Sequence, residues 1–233
     1  MNKEFYTLDN NNPYICWINL ACMAILVALD RDGTINRDVG FLGRYDDWKE
    51  KVVIYPHVSY AIKNLKSAGF NPDGCRIIVA SNQAGVARGF FNEARIKEVN
   101  QEIDSRLRQE GAVIDGWYFS VKIQSEYAKK YSIPLDSIYV DDKDTTRKPG
   151  IGMLEQAARD FNLTLKGFER VYVVGDKAVD VQTGLNAAGV GILFKNGNNQ
   201  EEVDKTKELA RATRYWDRVF FVNDFSQVAA LIC

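Results

Sequence analysis

Six short apolar runs, each separated from the next by a segment of helical periodicity, constrain this chain more than any other feature. The runs fall at residues 24–29, 76–80, 117–121, 171–174, 191–194 and 219–222. They are near-continuously apolar, the pattern of strands covered on both faces of a parallel sheet. Helix-period segments lie at 58–68, 92–110, 152–161, 178–188, 200–215 and 225–232, with Gly69, Gly111 and Gly189 at expected helix ends. Alternation of this kind implies right-handed crossovers, hence an α/β fold: a doubly wound, mainly parallel, Rossmann-like sheet with helices on both faces. Ligands in such folds gather beyond the carboxyl ends of the strands. Residues just after the runs are therefore the candidates for chemistry.

Composition narrows the classes. The 233 residues are 46% hydrophobic and 26% charged, enough for a sizeable core without a disulfide or metal staple. Thirty basic and thirty-one acidic side chains leave a net charge of −1, which argues against a nucleic-acid-binding surface. Cys16, Cys22, Cys75 and Cys233 form no C-x-x-C pair, as expected for a reduced, cytoplasmic protein. His57 is the only histidine, so a poly-histidine metal site is excluded and any histidine-based triad would have to use that residue. It follows Pro56 ahead of a helix and reads as a structural or surface residue. Cys75 reads as a packed thiol, and Trp117, Tyr118 and Phe119 as core.

The stretch 15–29 is apolar apart from Asn19, but it lacks a basic flank and runs straight into Asp30. No membrane span is expected from it. Residues 1–23 read as an N-terminal extension, with Met23 an alternative start, and residues 24–233 as one domain acting as a monomer. Residues 122–146 form a long polar excursion with room for one short helix, a candidate lid or specificity loop.

The sharpest local signal is Asp30-Arg31-Asp32-Gly33-Thr34-Ile35, directly after the first run. Two carboxylates past a strand end, with a glycine permitting a tight turn, suit a hard divalent cation such as Mg²⁺. Alone, the hexapeptide could equally be a solvated turn or the start of a calcium loop. Ser81-Asn82-Gln83 follows the second run, Arg147-Lys148 precedes a helix, and Gly175-Asp176-Lys177 with Asp180 follows the fourth run. Acids, a hydroxyl and a lysine at successive strand ends make a metal-plus-phosphoryl constellation. Core packing gives no reason for polar groups there.

In their order, these segments resemble the motifs of the haloacid dehalogenase superfamily: D-x-D-G-T, a small hydroxyl residue, a lysine, and G-D-x₃-D. LDRDGTIN, SNQAGVARG, RKPGIGML and VGDKAVD are similar to its branch of heptose bisphosphate and histidinol phosphate phosphatases. The resemblance implies an essentially capless, Mg²⁺-dependent phosphomonoesterase acting on a small phosphorylated metabolite. Asp30 would be the nucleophile, and Asp32 the general acid and base. Mg²⁺ would be held by Asp30, Asp176 and the backbone carbonyl of Asp32. Ser81 and Lys148 would hold the phosphoryl group, while Asn82, Arg147 and Lys177 would face the substrate. Asp180 would orient a ligand or a lysine, and Arg88 would lie on a loop facing substrate or cap a turn.

Many members of that branch carry cysteines and a histidine before the R-K-P motif that bind a structural zinc. Residues 122–146 contain neither type, so no zinc is expected. Packing through Tyr127, Tyr131, Ile133, Leu135 and Ile138 would hold the loop, with Asp141, Asp142 and Asp144 a solvated acidic turn. A nucleic-acid 3′-phosphatase and a non-catalytic phospholigand-binding module are the alternatives.

Overall fold

Strand β1 (Ile25–Leu29) is buried along its whole length, which only a central position in a two-sided sheet provides. The computed structural model describes residues 24–67, 74–197 and 199–233. The extension at 1–23 and the expected helix end at Gly69 lie outside the described residues.

Around β1 lie β2 (Cys75–Asn82), β3 (Gly116–Ser120), β4 (Arg170–Gly175), β5 (Val190–Phe194) and β6 (Val219–Val222). The order across the sheet is β3-β2-β1-β4-β5-β6, and every pairing is parallel. The chain winds outward one way from β1 through β2 to β3, then returns to β4 and winds the other way. The switch falls between β1 and β2 on one side and β4 on the other. Register brings Leu29 level with Val79 and Val174, so the residues after β1 and β4 emerge side by side.

Side-chain alternation divides the core into two layers. Ile25, Val27 and Leu29 pack with Ile77, Val79, Val174 and Ile192. They are covered by α1 (Val58–Ser67), α2 (Glu93–Gln109) and α7 (Ser226–Ile232). Leu26 and Ala28 face the other way, onto Met153, Leu154, Ala157 and Ala158 of α4 (Gly152–Asp160). On that side α5 (Ala178–Asn186) and α6 (Gln200–Thr213) share a cluster built on Val181, Leu185, Leu193 and Val203. Asn92 caps α2 by accepting from the Arg95 N–H at 3.0 Å, and Gly111 turns left-handed (φ 78°) just beyond its end. After α5 the left-handed residue is Ala188 (φ 55°) rather than Gly189.

Three expectations need correction. Ser81 and Asn82 do not follow β2 but are its last two residues, because pairing with Phe119 and Ser120 extends the ladder to them. β3 is an edge strand, so Trp117, Tyr118 and Phe119 are half-buried rather than core, and the Tyr118 hydroxyl donates to Asp160 at 2.8 Å. In the loop, Leu135 and Ile138 stand 53% and 77% exposed rather than packed.

What holds the loop is a bridge and a small core. The Ile123 N–H donates to the Tyr139 carbonyl, and the Asp141 N–H returns to that of Ile123. Ala84, Ile123 and Ala128 are buried beneath Tyr127, Ile133, Tyr139 and Val140. Helix α3 (Ser125–Lys130) supplies Ala128 and Tyr127. Asp142 accepts from the Ser125 N–H and hydroxyl at 2.7 and 2.5 Å, fixing the start of α3. Asp144 accepts from the Arg147 N–H at 2.8 Å and so places the basic pair that follows. His57 is exposed and hydrogen-bonded through Nδ1 to Asp224 at 2.8 Å, and Cys75 is buried, which pushes its thiol up to about 12.

Candidate active site

Beyond the carboxyl ends of β1, β2 and β4 the chain brings together three carboxylates and a lysine, almost all out of water. Asp30, Asp176, Asp180 and Lys148 are each 7% exposed or less. The Lys148 ammonium lies 2.5 Å from Asp30 Oδ1 and 2.6 Å from Asp180 Oδ1. Burial would lower the lysine, but the charges of Asp180 and Asp30 outweigh it and hold Lys148 above its ordinary value. Lys148 is placed through its backbone: its N–H donates to Asn82 Oδ1 at 2.9 Å, and Asn82 Nδ2 donates to its carbonyl at 3.1 Å. Asn82 therefore grips the lysine's peptide while lining the same cavity.

One ligand atom from each of Asp30, Asp176 and Asp180 lies within 4.8 Å of the others, the only such acidic cluster among the described residues. Burial pushes Asp30 up to about 6 against the pull of Lys148, and burial plus the charge of Asp30 pushes Asp176 to about 8. Two glycines make the crowding possible. Gly33 has φ 93°, and a Cβ there would overlap the Asp176 carboxylate; a Cβ on Gly175 would overlap that of Asp180. Asp176 Oδ1 is buried with no hydrogen-bond partner among the described residues. A hard cation fits this donor set, since all-oxygen carboxylate sites suit Mg²⁺ or Ca²⁺ and an unpartnered buried oxygen calls for a ligand.

Asp32 is held apart from this cluster. Arg31 Nη2 donates to its Oδ2 at 2.7 Å, Asn36 Nδ2 to Oδ1 at 3.0 Å and Gln83 Nε2 to Oδ2 at 3.0 Å. Burial would raise this carboxyl, but the Arg31 charge and these three donors hold it below its ordinary value. Gln83 also donates to the Ser81 hydroxyl at 2.9 Å, linking the end of β2 to the second acid.

A cavity of about 370 Å³ opens onto Asp30, Asp32, Ser81, Asn82, Arg147 and Lys148. Arg147 is anchored on the Lys122 carbonyl at 3.1 Å and lies over the Tyr127 ring. Lys177 and Asp38 wall this cavity on one side and also line an adjoining recess of about 420 Å³, onto which Asp176 opens. Asp180 Oδ2 accepts from the Lys177 N–H at 3.0 Å, satisfying a backbone donor at the start of α5. Arg88 sits over the rings of Phe41, Phe90 and Tyr131.

Sequence reasoning placed the Gln83 amide to bond a phosphate oxygen, whereas it donates to Asp32 and Ser81. It did not assign Arg31, Asn36 or Asn100, whose Oδ1 accepts from Arg31 Nη1 at 2.8 Å. It also passed over Asn196 and Asn199, which follow β5 and donate to the Gly33 and Asp176 carbonyls at 3.0 and 2.8 Å. One signal was available: Asn100 interrupts the apolar face formed by Ile96, Val99, Ile103 and Leu107.

Fold and site together define a carboxylate-based phosphatase on a doubly wound sheet. A HAD-hydrolase-like family model matches residues 145–219, the segment carrying Lys148, Asp176 and Asp180. A D-glycero-D-manno-heptose-1,7-bisphosphate 7-phosphatase of Chlorobaculum tepidum is 33% identical over 80% of this chain and 86% of its own length. One of Thermosynechococcus vestitus is 34% identical over 89% and 94%. The crystal structure of D,D-heptose 1,7-bisphosphate phosphatase from B. bronchiseptica, complexed with magnesium and phosphate, superposes with a TM-score of 0.65. It is 24% identical and covers 89% of this chain and 97% of its own. The chain belongs to the haloacid dehalogenase-like phosphatases, among relatives that act on sugar phosphates. No helix among the described residues is long and apolar enough to cross a membrane.

Proposed function

We propose that this phosphatase removes the 7-phosphate of D-glycero-D-manno-heptose 1,7-bisphosphate through an aspartyl-phosphate formed on Asp30. The observation that carries the reading is a buried carboxylate, Asp30, paired with Lys148 on the wall of a cavity that also exposes Ser81 and Asp32. The two relatives described above support the substrate, since each carries that activity in its name.

An Asp30 carboxylate oxygen attacks phosphorus in line, and the bond to the sugar oxygen breaks with its electron pair going to that oxygen. Asp32, which must enter this step protonated, gives the departing oxygen its proton; the Arg31 charge that favours its carboxylate makes it the stronger acid toward that oxygen. Water then attacks the aspartyl-phosphate, Asp32 takes the water's proton, and the Asp30–phosphorus bond breaks to release phosphate. Lys148 and Ser81 hold the equatorial oxygens, and Lys148 also offsets the repulsion between Asp30 and the incoming dianion. Asp30, Asp176 and the Asp32 carbonyl would hold Mg²⁺, which supplies charge neutralisation at the phosphoryl group. Asp180 positions Lys148, and Arg147 and Lys177 face the remainder of the substrate.

The test is phosphate release, with Mg²⁺, from the heptose bisphosphate, histidinol phosphate and a 3′-phosphorylated oligonucleotide, for wild type and Asp30→Asn. The bisphosphate should be preferred and the variant inactive. Preference for either other ester overturns the substrate, and turnover by Asp30→Asn overturns the nucleophile.

A further inference from the structure

Arg31 is the largest fully buried side chain among the described residues, 1% exposed, and it does not line the cavity. Its guanidinium is shared between two residues. Nε donates to both Asp32 oxygens at 3.2 Å and Nη2 to Oδ2 at 2.7 Å, while Nη1 donates to Asn100 Oδ1 at 2.8 Å. Asn100 is itself buried, on the face of α2 that packs against the sheet, sixty-nine residues further along the chain. Like Arg31, it is absent from the cavity wall.

A long side chain next to a carboxylate in sequence does not by itself fix that carboxylate, because its own torsions remain free. The Asn100 oxygen removes that freedom by holding the far nitrogen of the fork. It is also a neutral acceptor, so it orients the guanidinium without competing for its charge, as a carboxylate at this position would. The rigid planar guanidinium then transmits the position of α2 to Asp32.

We infer that Asn100 is a positioning residue for leaving-group protonation: it fixes Arg31, and Arg31 fixes the Asp32 carboxyl at the place where the departing oxygen stands. The inference rests on the proposed role of Asp32 as general acid. Asn36 and Gln83 hold the same carboxyl from other sides, so loss of Asn100 loosens it without releasing it.

The experiment compares kcat/KM for two esters, because that ratio ends at the step in which the leaving group departs. p-Nitrophenolate leaves without a proton, whereas the alkoxide of the heptose bisphosphate needs one. General-acid assistance is worth about 10²–10⁴-fold, and partial misplacement should forfeit about tenfold of it. Asn100→Leu should therefore lower kcat/KM for the bisphosphate about tenfold more than for p-nitrophenyl phosphate. Arg31→Lys, which keeps the buried charge but loses the fork, should shift the ratio the same way and gives an independent reading if Asn100→Leu does not fold. A purely structural role would depress both esters equally, and equal loss overturns the inference. Asp32→Asn separates the two levels. If it discriminates between the esters and the Asn100 and Arg31 variants do not, the positioning role falls alone; if it does not discriminate, the general-acid reading falls and the inference with it.

Discussion

Replacing Asp176 by asparagine should stabilise the metal-free protein, and the gain should widen with pH. Asp176 is 5% exposed and raised from 3.8 to about 8 by burial and by the nearby Asp30 charge. Its folded value lies above its unfolded one, so its contribution to stability is fully present below about pH 4 and is lost as pH rises through about 8. Between pH 5 and 7 the folded carboxyl stays protonated while the unfolded one is ionised. Stability then falls by roughly 1.4 kcal/mol per pH unit, about 3 kcal/mol over the interval. Asparagine has nearly the same shape and does not titrate. Urea denaturation of wild type and Asp176→Asn in chelator, at pH 5 and pH 7, measures the difference directly. The variant's advantage should be about 3 kcal/mol larger at pH 7, and saturating Mg²⁺ should stabilise the wild type far more than the variant. An advantage that does not change with pH, or that shrinks, would refute the argument that a desolvated carboxyl awaits a cation.

Lys148→Met should lower stability by about 3–5 kcal/mol at neutral pH, because it leaves Asp30 and Asp180 buried without their common partner, and phosphate release should fall at least about a hundredfold. The same denaturation and phosphate assays test both. Gly33→Ala forces a Cβ into the Asp176 carboxylate at a positive φ, so a cost of about 1–3 kcal/mol is expected, with Mg²⁺ affinity in calorimetric titration weakened at least tenfold, roughly 1.4 kcal/mol. Asn82→Ala removes the acceptor for the Lys148 N–H. It should cost about 1–2 kcal/mol and lower kcat more than it raises KM, in steady-state kinetics with the bisphosphate.

Much of the fold was legible because burial on both faces leaves a periodic trace that needs no partner to be read. The six apolar runs became six strands, and the site motifs fell at their carboxyl ends because winding outward from β1 puts every such end on one edge. The errors came where a residue's state depends on what lies beside it. Ser81 belongs to β2 only because Phe119 pairs with it, and Trp117 is half-buried because β3 is the edge strand of the sheet among the described residues. Leu135 and Ile138 are apolar in sequence yet exposed, since a loop at the sheet's edge has one packed side.

By itself the sequence determined the order of strands and helices and the identity of the acids and the lysine, since periodicity and residue chemistry are carried by neighbours along the chain. Only the tertiary structure decided which of those groups meet. Asp30 and Lys148 touch across 118 residues, and Asp32, two positions from Asp30, is drawn to Arg31 and Gln83 instead. Asn100 reaches Arg31 from the middle of a helix. The physical reason is desolvation: once the sheet closes over these groups water can no longer satisfy them, so each must find its partner in three dimensions.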